Sequence, residues 1–211
     1  MIRHPFTIEP DMSIVDAQRY MGEVNVRYLP VVDEKKHLVG LITRRTLMIE
    51  PGALGSLNVW EITRYLSALQ VKNVMIKARR VVTIGPDTPI EDAARLMIHK
   101  QIGCLPVVEG LRVIGLIRSE DLLAHLTEMM VARVHGVRVT IRMPSGKGET
   151  AKLVAAISAK GWGIFASGGI PDKKDPNKWI MLIKIRGVPK QEVVEALRQI
   201  KGHEILDARE T

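Results

Sequence analysis

One stretch of this sequence occurs twice, and the repeat restricts the possible folds more than any other feature. "FTIEPDMSIVDAQRYM" at 6–21 aligns with "VTIGPDTPIEDAARLM" at 82–97, and "LPVV" at 29–32 recurs at 105–108. The spacing is 76 residues in both matches and falls to 75 at Gly40 and Gly115. The residue lost lies in a polar turn, where length changes cost little. The repeat predicts two copies of one structural unit.

Each copy shows the pattern of a short strand, a helix, two strands and a second helix. In the second copy, Thr88 and Glu91 predict a capping box, with Pro89 as the first helical residue. The hairpin that follows has apolar strands on either side of a polar turn. Neither copy has enough apolar faces to close a core alone. We therefore expect the two copies to pack face to face about a pseudo-twofold axis.

The remainder of the chain divides into a connector and a C-terminal region. Residues 51–70 contain structure breakers and then, from Asn58, an amphipathic pattern that predicts a connector helix. After residue 135 the order becomes β-α-β-β-α-β, the ferredoxin-like arrangement. The predicted class is α/β (α+β). The predicted domains are 1–50 and 71–133 for the two copies, 51–70 for the connector and 136–211 for the C-terminal domain.

Composition narrows the cellular setting and the partners. The 211 residues have a formal net charge of +8, which favours anionic partners in general. Aromatic residues are only 4%, and the basic residues are spread over all segments, which argues against a nucleic-acid partner. A single cysteine, Cys104, fits a reducing compartment. With no apolar run long enough to span a bilayer, we expect a cytoplasmic protein with no membrane partner.

These residues resemble a tandem pair of cystathionine-β-synthase (CBS) domains, a pseudo-twofold module of the Bateman type. The likeness rests on Thr-Ile-x-Pro-Asp-x-x-Ile, Leu-Pro-Val-Val and Gly-Leu-Ile in each copy, and on Val71, Val74 and Met75 as the lead-in to the second. The position matching Met75 in the first copy would precede residue 1, so that lead-in is expected upstream or shortened. The C-terminal segment resembles an ACT domain, and the whole order resembles the acetoin-utilisation regulatory proteins.

The resemblance implies an adenosine ligand, because CBS pairs typically bind adenosine derivatives at a turn reading Gly-apolar-apolar-Thr/Ser-x-x-Asp. A helix N-terminus there suits phosphate, and the aspartate can accept hydrogen bonds from ribose hydroxyls. The first copy keeps Thr43 but has Thr46 in place of the aspartate, while the second keeps Asp121 but has Arg118 in place of the cap. We expect the second turn to recognise the nucleoside. The first is expected to be empty, degenerate or selective for a more anionic ligand.

The candidate site residues follow from the same alignment. In the second site they are Thr83, Ile84, Cys104, Leu105, Pro106, Gly115, Arg118, Ser119, which can replace the missing cap, and Asp121. In the first site they are Thr7, Ile8, Tyr28, Leu29, Pro30, Gly40, Thr43, Arg44 and Thr46. In the ACT-like domain, the loop with Gly146 and Gly148 is a possible amino-acid site.

Three functions remain open at this stage. The leading hypothesis is a non-enzymatic regulator that binds AMP, ADP, ATP or S-adenosylmethionine in the CBS cleft and transmits a conformational change to the ACT-like domain or to a protein target. The alternatives are an amino-acid sensor with the CBS pair as dimerisation scaffold, and a nucleic-acid-binding protein. No spacing of histidine, cysteine or carboxylate residues resembles a metal or nucleophile site, so no enzyme and no required cofactor are expected. A homodimer is expected, since apolar residues recur on the helix that contains Leu122, Leu123, Leu126 and Met130.

Overall fold

A computed structural model describes residues 2–48, 60 and 68–211. Most of the predicted connector helix, 51–70, therefore lies outside the described residues. The chain divides into two compact units, Met1–Leu122 and Leu123–Thr211. The sequence-based domain limits stay predictions. No helix among the described residues is long and apolar enough to cross a membrane.

The first repeat forms a helix and a hairpin around an apolar core. Its elements are β1 (Ile2–Arg3), α1 (Ile14–Glu23), β2 (Tyr28–Val32), β3 (Leu38–Thr43) and a 3-10 turn at Arg45–Leu47. The second repeat contains α2 (Val71–Val74), β4 (Ile76–Lys77), a 3-10 turn at Ala78–Arg80, α3 (Ile90–Lys100), β5 (Cys104–Glu109), β6 (Arg112–Arg118) and α4 (Ser119–Met129). The division of the chain between Leu122 and Leu123 falls within α4.

The two hairpins have the same register, as the repeat predicts. Val31 lies opposite Gly40 in the first, and Val107 lies opposite Gly115 in the second. The "TI" segments are extended and make one parallel bridge each, Ile8 with Val31 and Ile84 with Val107. Alternate side chains of these segments form a separate small core in each repeat, centred on Leu29 and Leu105, both 0% exposed.

The repeats complete each other's sheets. β4, at the start of the second repeat, pairs with β3 of the first, while β1, at the start of the chain, pairs with β6 of the second. Ile2–Arg3 thus takes the place in the second sheet that Ile76–Lys77 takes in the first. This exchange of short strands gives a physical reason for the face-to-face packing that the apolar patterns predict.

The predicted capping box before α3 is wrong. The helix begins at Ile90 with Pro89 as its N-cap, and no side chain accepts a hydrogen bond there. In the first repeat the equivalent residue is Ser13, whose hydroxyl accepts from the Asp16 backbone N–H at 3.1 Å. Proline has no side-chain acceptor, so the second repeat lost the cap that the first retains.

The second unit has the β-α-β-β-α-β order expected from the sequence. Its elements are β7 (Val137–Pro144), α5 (Glu149–Ala159), β8 (Ile164–Pro171), β9 (Lys178–Ile185), α6 (Lys190–Arg198) and β10 (Glu204–Glu210). The antiparallel sheet has the strand order β10-β7-β9-β8. Buried residues alternate along β7, and they pack against Leu153, Ile157, Val193 and Leu197 of the two helices.

Candidate functional site

The two Gly-Leu-Ile turns end β3 and β6, and hydrogen bonds hold each turn differently. In the first, the Thr43 backbone N–H donates to Thr46 Oγ1 at 2.9 Å, and the Thr46 N–H donates to Thr43 Oγ1 at 3.2 Å. The Thr46 hydroxyl donates its own proton to the Thr43 carbonyl at 2.9 Å. The first turn is therefore a complete capping box made by two threonines.

The second turn keeps half of that box. The Arg118 backbone N–H donates to Asp121 Oδ2 at 2.9 Å, in the same way that Thr43 donates to Thr46. The Arg118 guanidinium also folds back on the carboxylate, with Nη2 at 2.7 Å from Oδ1 and Nε at 3.2 Å from the same oxygen. The Ser119 backbone N–H donates to the Gly103 carbonyl at 2.9 Å. The expected ribose acceptor is thus already paired within its own turn.

Electrostatics reinforce the Arg118–Asp121 pair. Burial raises the pKa of the Asp121 carboxyl, but the hydrogen bonds and positive charge of Arg118 outweigh burial, so the net direction is downward. The bond to Asp121 in turn raises the pKa of the Arg118 guanidinium. Both groups are charged at neutral pH, and about 20% of the Asp121 side chain is exposed. The pair is a partly buried, charge-assisted contact.

A cavity of about 750 Å³ lies at the first turn. That volume falls in the range of pockets that hold a ligand the size of a nucleotide. About half of the lining residues are largely apolar, namely Tyr28, Leu41, Ile76, Val81, Val82, Ile102 and Cys104. The turn contributes Thr43 and Thr46, and Gln101, Gly103 and four arginines complete the described lining.

Four arginines surround this cavity: Arg27, Arg44, Arg45 and Arg80. Arg27 pairs with Glu120 at 3.0 Å, whereas Arg44, Arg45 and Arg80 make no ion pair with any residue in the described part of the chain. The described lining contains no carboxylate. Arginine guanidinium groups bind phosphate in a bidentate manner, so the cavity suits a ligand with both an apolar and a strongly anionic part.

A second cavity, of about 220 Å³, is the pseudo-symmetric equivalent of the first. It is lined by Pro5, Phe6, Val24, Asn25, Val26, Tyr28, Leu116 and Arg118. Leu116 and Arg118 correspond to Leu41 and Thr43, and Phe6 corresponds to Val82. In this smaller cavity the longer side chains of Arg118 and Phe6 stand where the first has threonine and valine.

The predicted residues are distributed over the two cavities differently from the expectation. Tyr28, Thr43, Arg44 and Thr46 line the large cavity, and they are joined by Cys104, which was expected in the second site. Arg118 and again Tyr28 line the small one. Neither described lining contains the other predicted residues, which are Thr7, Ile8, Leu29, Pro30, Gly40, Thr83, Ile84, Leu105, Pro106, Gly115, Ser119 and Asp121.

Strand geometry explains these differences. Successive side chains of a strand point to opposite faces, so Tyr28 and Cys104 face the cavities while Leu29 and Leu105 enter the repeat cores. Gly40 is a predicted ligand contact, but in the structure strand β4 of the second repeat lies against it. A Cβ at this position would lie 2.9 Å from the Ile76 carbonyl oxygen. The glycine is needed for strand exchange.

The sequence did not predict that each cavity is formed by residues of both repeats. The large cavity combines the first repeat's turn with residues 80–82 and 101–104 of the second repeat. The small one combines the second repeat's turn with residues 5–6 and 24–26 of the first. The alignment of the repeats could have indicated these lining segments. Arg80 and Val81–Val82 directly precede "TI" in the second copy, as His4 and Pro5–Phe6 do in the first.

Two groups in the cavities have pKa values raised above their usual range. Burial, with a smaller contribution from the charge of Glu120, raises the pKa of the Cys104 thiol to about 12. Burial also raises the pKa of Tyr28, which lies beside Cys104 and Glu120. Both are neutral at pH 7, so Cys104 is not a thiolate nucleophile. Among the described residues, no three histidine, cysteine or carboxylate side chains form a metal-binding group.

The glycine loop of the second unit leads into α5. Gly148 has φ +85° and is the N-cap of the helix, which begins at Glu149. Glu149 lies 3.0 Å from Nε2 of His203, whose side chain is 1% exposed. Hydrogen bonds from Lys152 and His203 lower the pKa of Glu149. The loop is thus held to the start of β10 by a buried polar contact.

Comparison with known proteins identifies the first unit. The sequence model of the CBS-domain family matches residues 1–51 and 71–128, which is more than half of the chain. This protein belongs to the CBS-domain family. A homoserine O-acetyltransferase of Methanohalobium evestigatum is 36% identical over 123 residues, covering 58% of this chain and 22% of the relative. The chain therefore spans about a fifth of the length of that curated relative.

Solved structures show the same fold. An acetoin utilization protein (AcuB) of Vibrio cholerae is 26% identical, with a TM-score of 0.52, and the match covers 63% of this chain and 90% of that one. A structure of CBSX2 in complex with AMP is 24% identical, with a TM-score of 0.50, over 61% of this chain and 92% of that one. The second likeness concerns the fold alone.

Proposed function

We propose that this protein is a non-enzymatic regulator that binds an adenosine nucleotide in the large cavity at the first turn. The observation that supports this most is the cavity itself, about 750 Å³ in volume, with apolar side chains and four arginines in its lining. Membership of the CBS-domain family supports the adenosine part of the proposal, since CBS pairs typically bind adenosine derivatives. The proposal moves the main site from the second turn, favoured by the sequence, to the first.

In the proposed complex the base lies against Tyr28, Ile102 and the other apolar side chains, and the phosphates face the arginines. The three arginines without an ion pair among the described residues favour a ligand with several negative charges. AMP, ADP and ATP meet this requirement increasingly well. S-adenosylmethionine has a positively charged sulfonium and ammonium, so these arginines disfavour it.

A ligand regulates a protein only if it prefers one arrangement of that protein over another. The large cavity is built from both repeats, so a ligand there favours the arrangement in which Arg80 and the first turn approach the same phosphates. Tyr28 lines both cavities, so its displacement by a ligand in one changes the shape of the other. We propose that this change is what a protein target or the second unit senses.

The second unit completes the proposal as an ACT-like domain. Its element order and strand order support that assignment.

Exposed apolar residues at helical spacing on α4, Leu123, Leu126 and Met129, support a homodimer through this helix. An Leu126→Glu variant should then shift the mass measured by light scattering from dimer to monomer. We further propose a cytoplasmic location and a role resembling that of acetoin-utilisation regulators.

Isothermal titration of the full chain with AMP, ADP, ATP and S-adenosylmethionine tests the ligand. We expect heat with the phosphorylated nucleotides, increasing in affinity with the number of phosphates, and a weaker response or none with S-adenosylmethionine. Absence of heat and of any thermal shift with every adenosine compound would refute the proposal. A response to free amino acids alone would instead favour the amino-acid sensor.

A further inference from the structure

The position that should recognise the ribose differs in kind between the two turns. Asp121 in the second turn corresponds to Thr46 in the first. A carboxylate has about four lone-pair sites and accepts two hydrogen bonds without difficulty, whereas a hydroxyl has one proton and two lone pairs. A ribose offers two hydroxyl donors, O2′–H and O3′–H, and therefore needs an acceptor with spare capacity.

The Thr46 hydroxyl has almost no spare capacity to accept a hydrogen bond. Its hydroxyl proton is donated to the Thr43 carbonyl at 2.9 Å, and one lone pair accepts from the Thr43 N–H at 2.9 Å. A single lone pair remains for any ligand. Its neighbour in the box, Thr43, accepts from the Thr46 N–H at 3.2 Å. The two hydroxyls of the turn thus retain one lone pair each for a ligand, and neither matches the capacity of a carboxylate.

No other side chain of the cavity replaces the missing carboxylate. The described lining contains no aspartate or glutamate, and its one amide, Gln101, lies on the segment contributed by the second repeat. The polar groups in excess are guanidinium groups, which donate hydrogen bonds and cannot accept them. Besides the threonines, a sugar hydroxyl donor finds the Gln101 amide oxygen and the Tyr28 hydroxyl, both uncharged acceptors, whereas phosphate oxygens find four guanidinium groups.

We infer that the large cavity binds adenine nucleotides with two or more phosphates and does not distinguish ribose from 2′-deoxyribose. The inference rests on the proposed function and specifies it. Arg44, Arg45 and Arg80 provide the affinity through the phosphates, and Thr46 is the residue that removes the sugar specificity. The ligand class is accordingly the di- and triphosphates of adenosine and 2′-deoxyadenosine.

Titration of the full chain with ATP and dATP tests the inference directly. We expect dissociation constants that agree within about threefold, because one lost hydrogen bond to a half-available acceptor is worth little. AMP should bind at least about tenfold more weakly than ATP, because it has fewer charge-assisted contacts. The Thr46→Asp variant, which copies the second turn, should prefer ATP over dATP by about tenfold, the value of one charge-assisted hydrogen bond.

Thr46→Ser is the matched control, since it retains the hydroxyl and should leave the ATP to dATP ratio unchanged. The ratio is insensitive to a general loss of affinity, so it remains informative if Thr46→Asp weakens both nucleotides. Two results overturn the inference and leave the proposed function standing. The first is that the unmodified chain binds ATP more than threefold more tightly than dATP. The second is that it binds AMP and ATP with equal affinity. Absence of binding by every adenine nucleotide overturns the proposed function, and this inference with it.

Discussion

The two Gly-Leu-Ile turns occupy equivalent positions in the two repeats but differ in what their side chains bind. Thr43 and Thr46 bind each other and leave a cavity of about 750 Å³ open beside them. Arg118 and Asp121 also bind each other, but the longer arginine side chain lies in a cavity of about 220 Å³. The difference means that the retained aspartate is already paired within its own turn. A partner for that aspartate within the same turn competes with any ligand.

The largest expected effect is on the free energy of unfolding, and it comes from substitutions in the two repeat cores. Comparing them tests whether the cores are as symmetric as the repeats. Leu29 and Leu105 occupy equivalent positions and are both 0% exposed. Replacing either by alanine should lower the free energy of unfolding by about 2–5 kcal/mol, and the two losses should be similar. Urea denaturation followed by circular dichroism measures both. Losses that differ by more than about 2 kcal/mol would mean that the cores have diverged as the turns have.

Removing positive charge from the large cavity should have the next largest effect. The double variant Arg44→Gln and Arg80→Gln is expected to weaken ATP binding by about tenfold or more, because both guanidinium groups face the proposed phosphates. The residues are exposed, so the loss should shrink as salt concentration rises. The double variant Lys190→Gln and Arg198→Gln, at two exposed positions of α6, removes the same number of charges and should bind ATP normally. Equal effects of both changes would indicate steering by net charge alone.

Opening the second turn tests the comparison from the other side. Arg118→Thr removes the guanidinium that binds Asp121 and restores the Thr-x-x-Asp pattern of the turn. We expect a second nucleotide to bind per chain, about tenfold or more weaker than the first, because Phe6 still narrows that cavity. The number of sites from isothermal titration is the readout. A stoichiometry that stays at one would show that the width of the small cavity, rather than the pairing of Asp121, prevents binding.

The smallest effect is expected from the caps themselves, and it has a pH signature. Because the folded pKa of Asp121 is lowered, its contribution to stability is present above the unfolded value of about 4 and is lost as pH falls through the folded pKa. Asp121→Asn should therefore lower the free energy of unfolding by about 1–2 kcal/mol at pH 7, with the difference from the parent protein disappearing at acidic pH. Chemical denaturation at a series of pH values measures this.

Thr46→Val removes the equivalent cap of the first turn without removing a charge. It should cost about 0.5–2 kcal/mol, the usual value of a lost capping interaction, at every pH tested. A pH-dependent loss in this variant, or a pH-independent loss in Asp121→Asn, would contradict the account of the two turns.

Much of the fold follows from the sequence because repetition and periodicity are local. "LPVV" and Gly-Leu-Ile predict two hairpins, and both form, with equivalent residues opposite each other. The alternation along "GVRVTIRM" predicts β7, where Val137, Val139, Ile141 and Met143 are buried. The cap at Thr88 failed because Pro89 took the N-cap position, a shift of one residue that helix patterns do not resolve.

The candidate site was harder to predict than the fold. The sequence placed the ligand near Thr7–Ile8 and Thr83–Ile84, but the segments that line the cavities lie two residues earlier, at 5–6 and 81–82. Ile8 and Ile84 are held in the cores by their bridges to Val31 and Val107. Which residues of an extended segment face a cavity depends on its pairing partner, and that partner is distant in sequence.

The sequence by itself determined the two repeated units, their hairpins, the β-α-β-β-α-β order of the C-terminal unit and the unequal chemistry of the turns. These features depend on spacing and residue type, which a chain specifies locally. Only the tertiary structure decided that the repeats exchange strands, that each cavity combines the turn of one repeat with segments of the other, and that Arg118 binds Asp121. Such contacts join residues through packing, and packing selects among side-chain partners that the sequence leaves equally available.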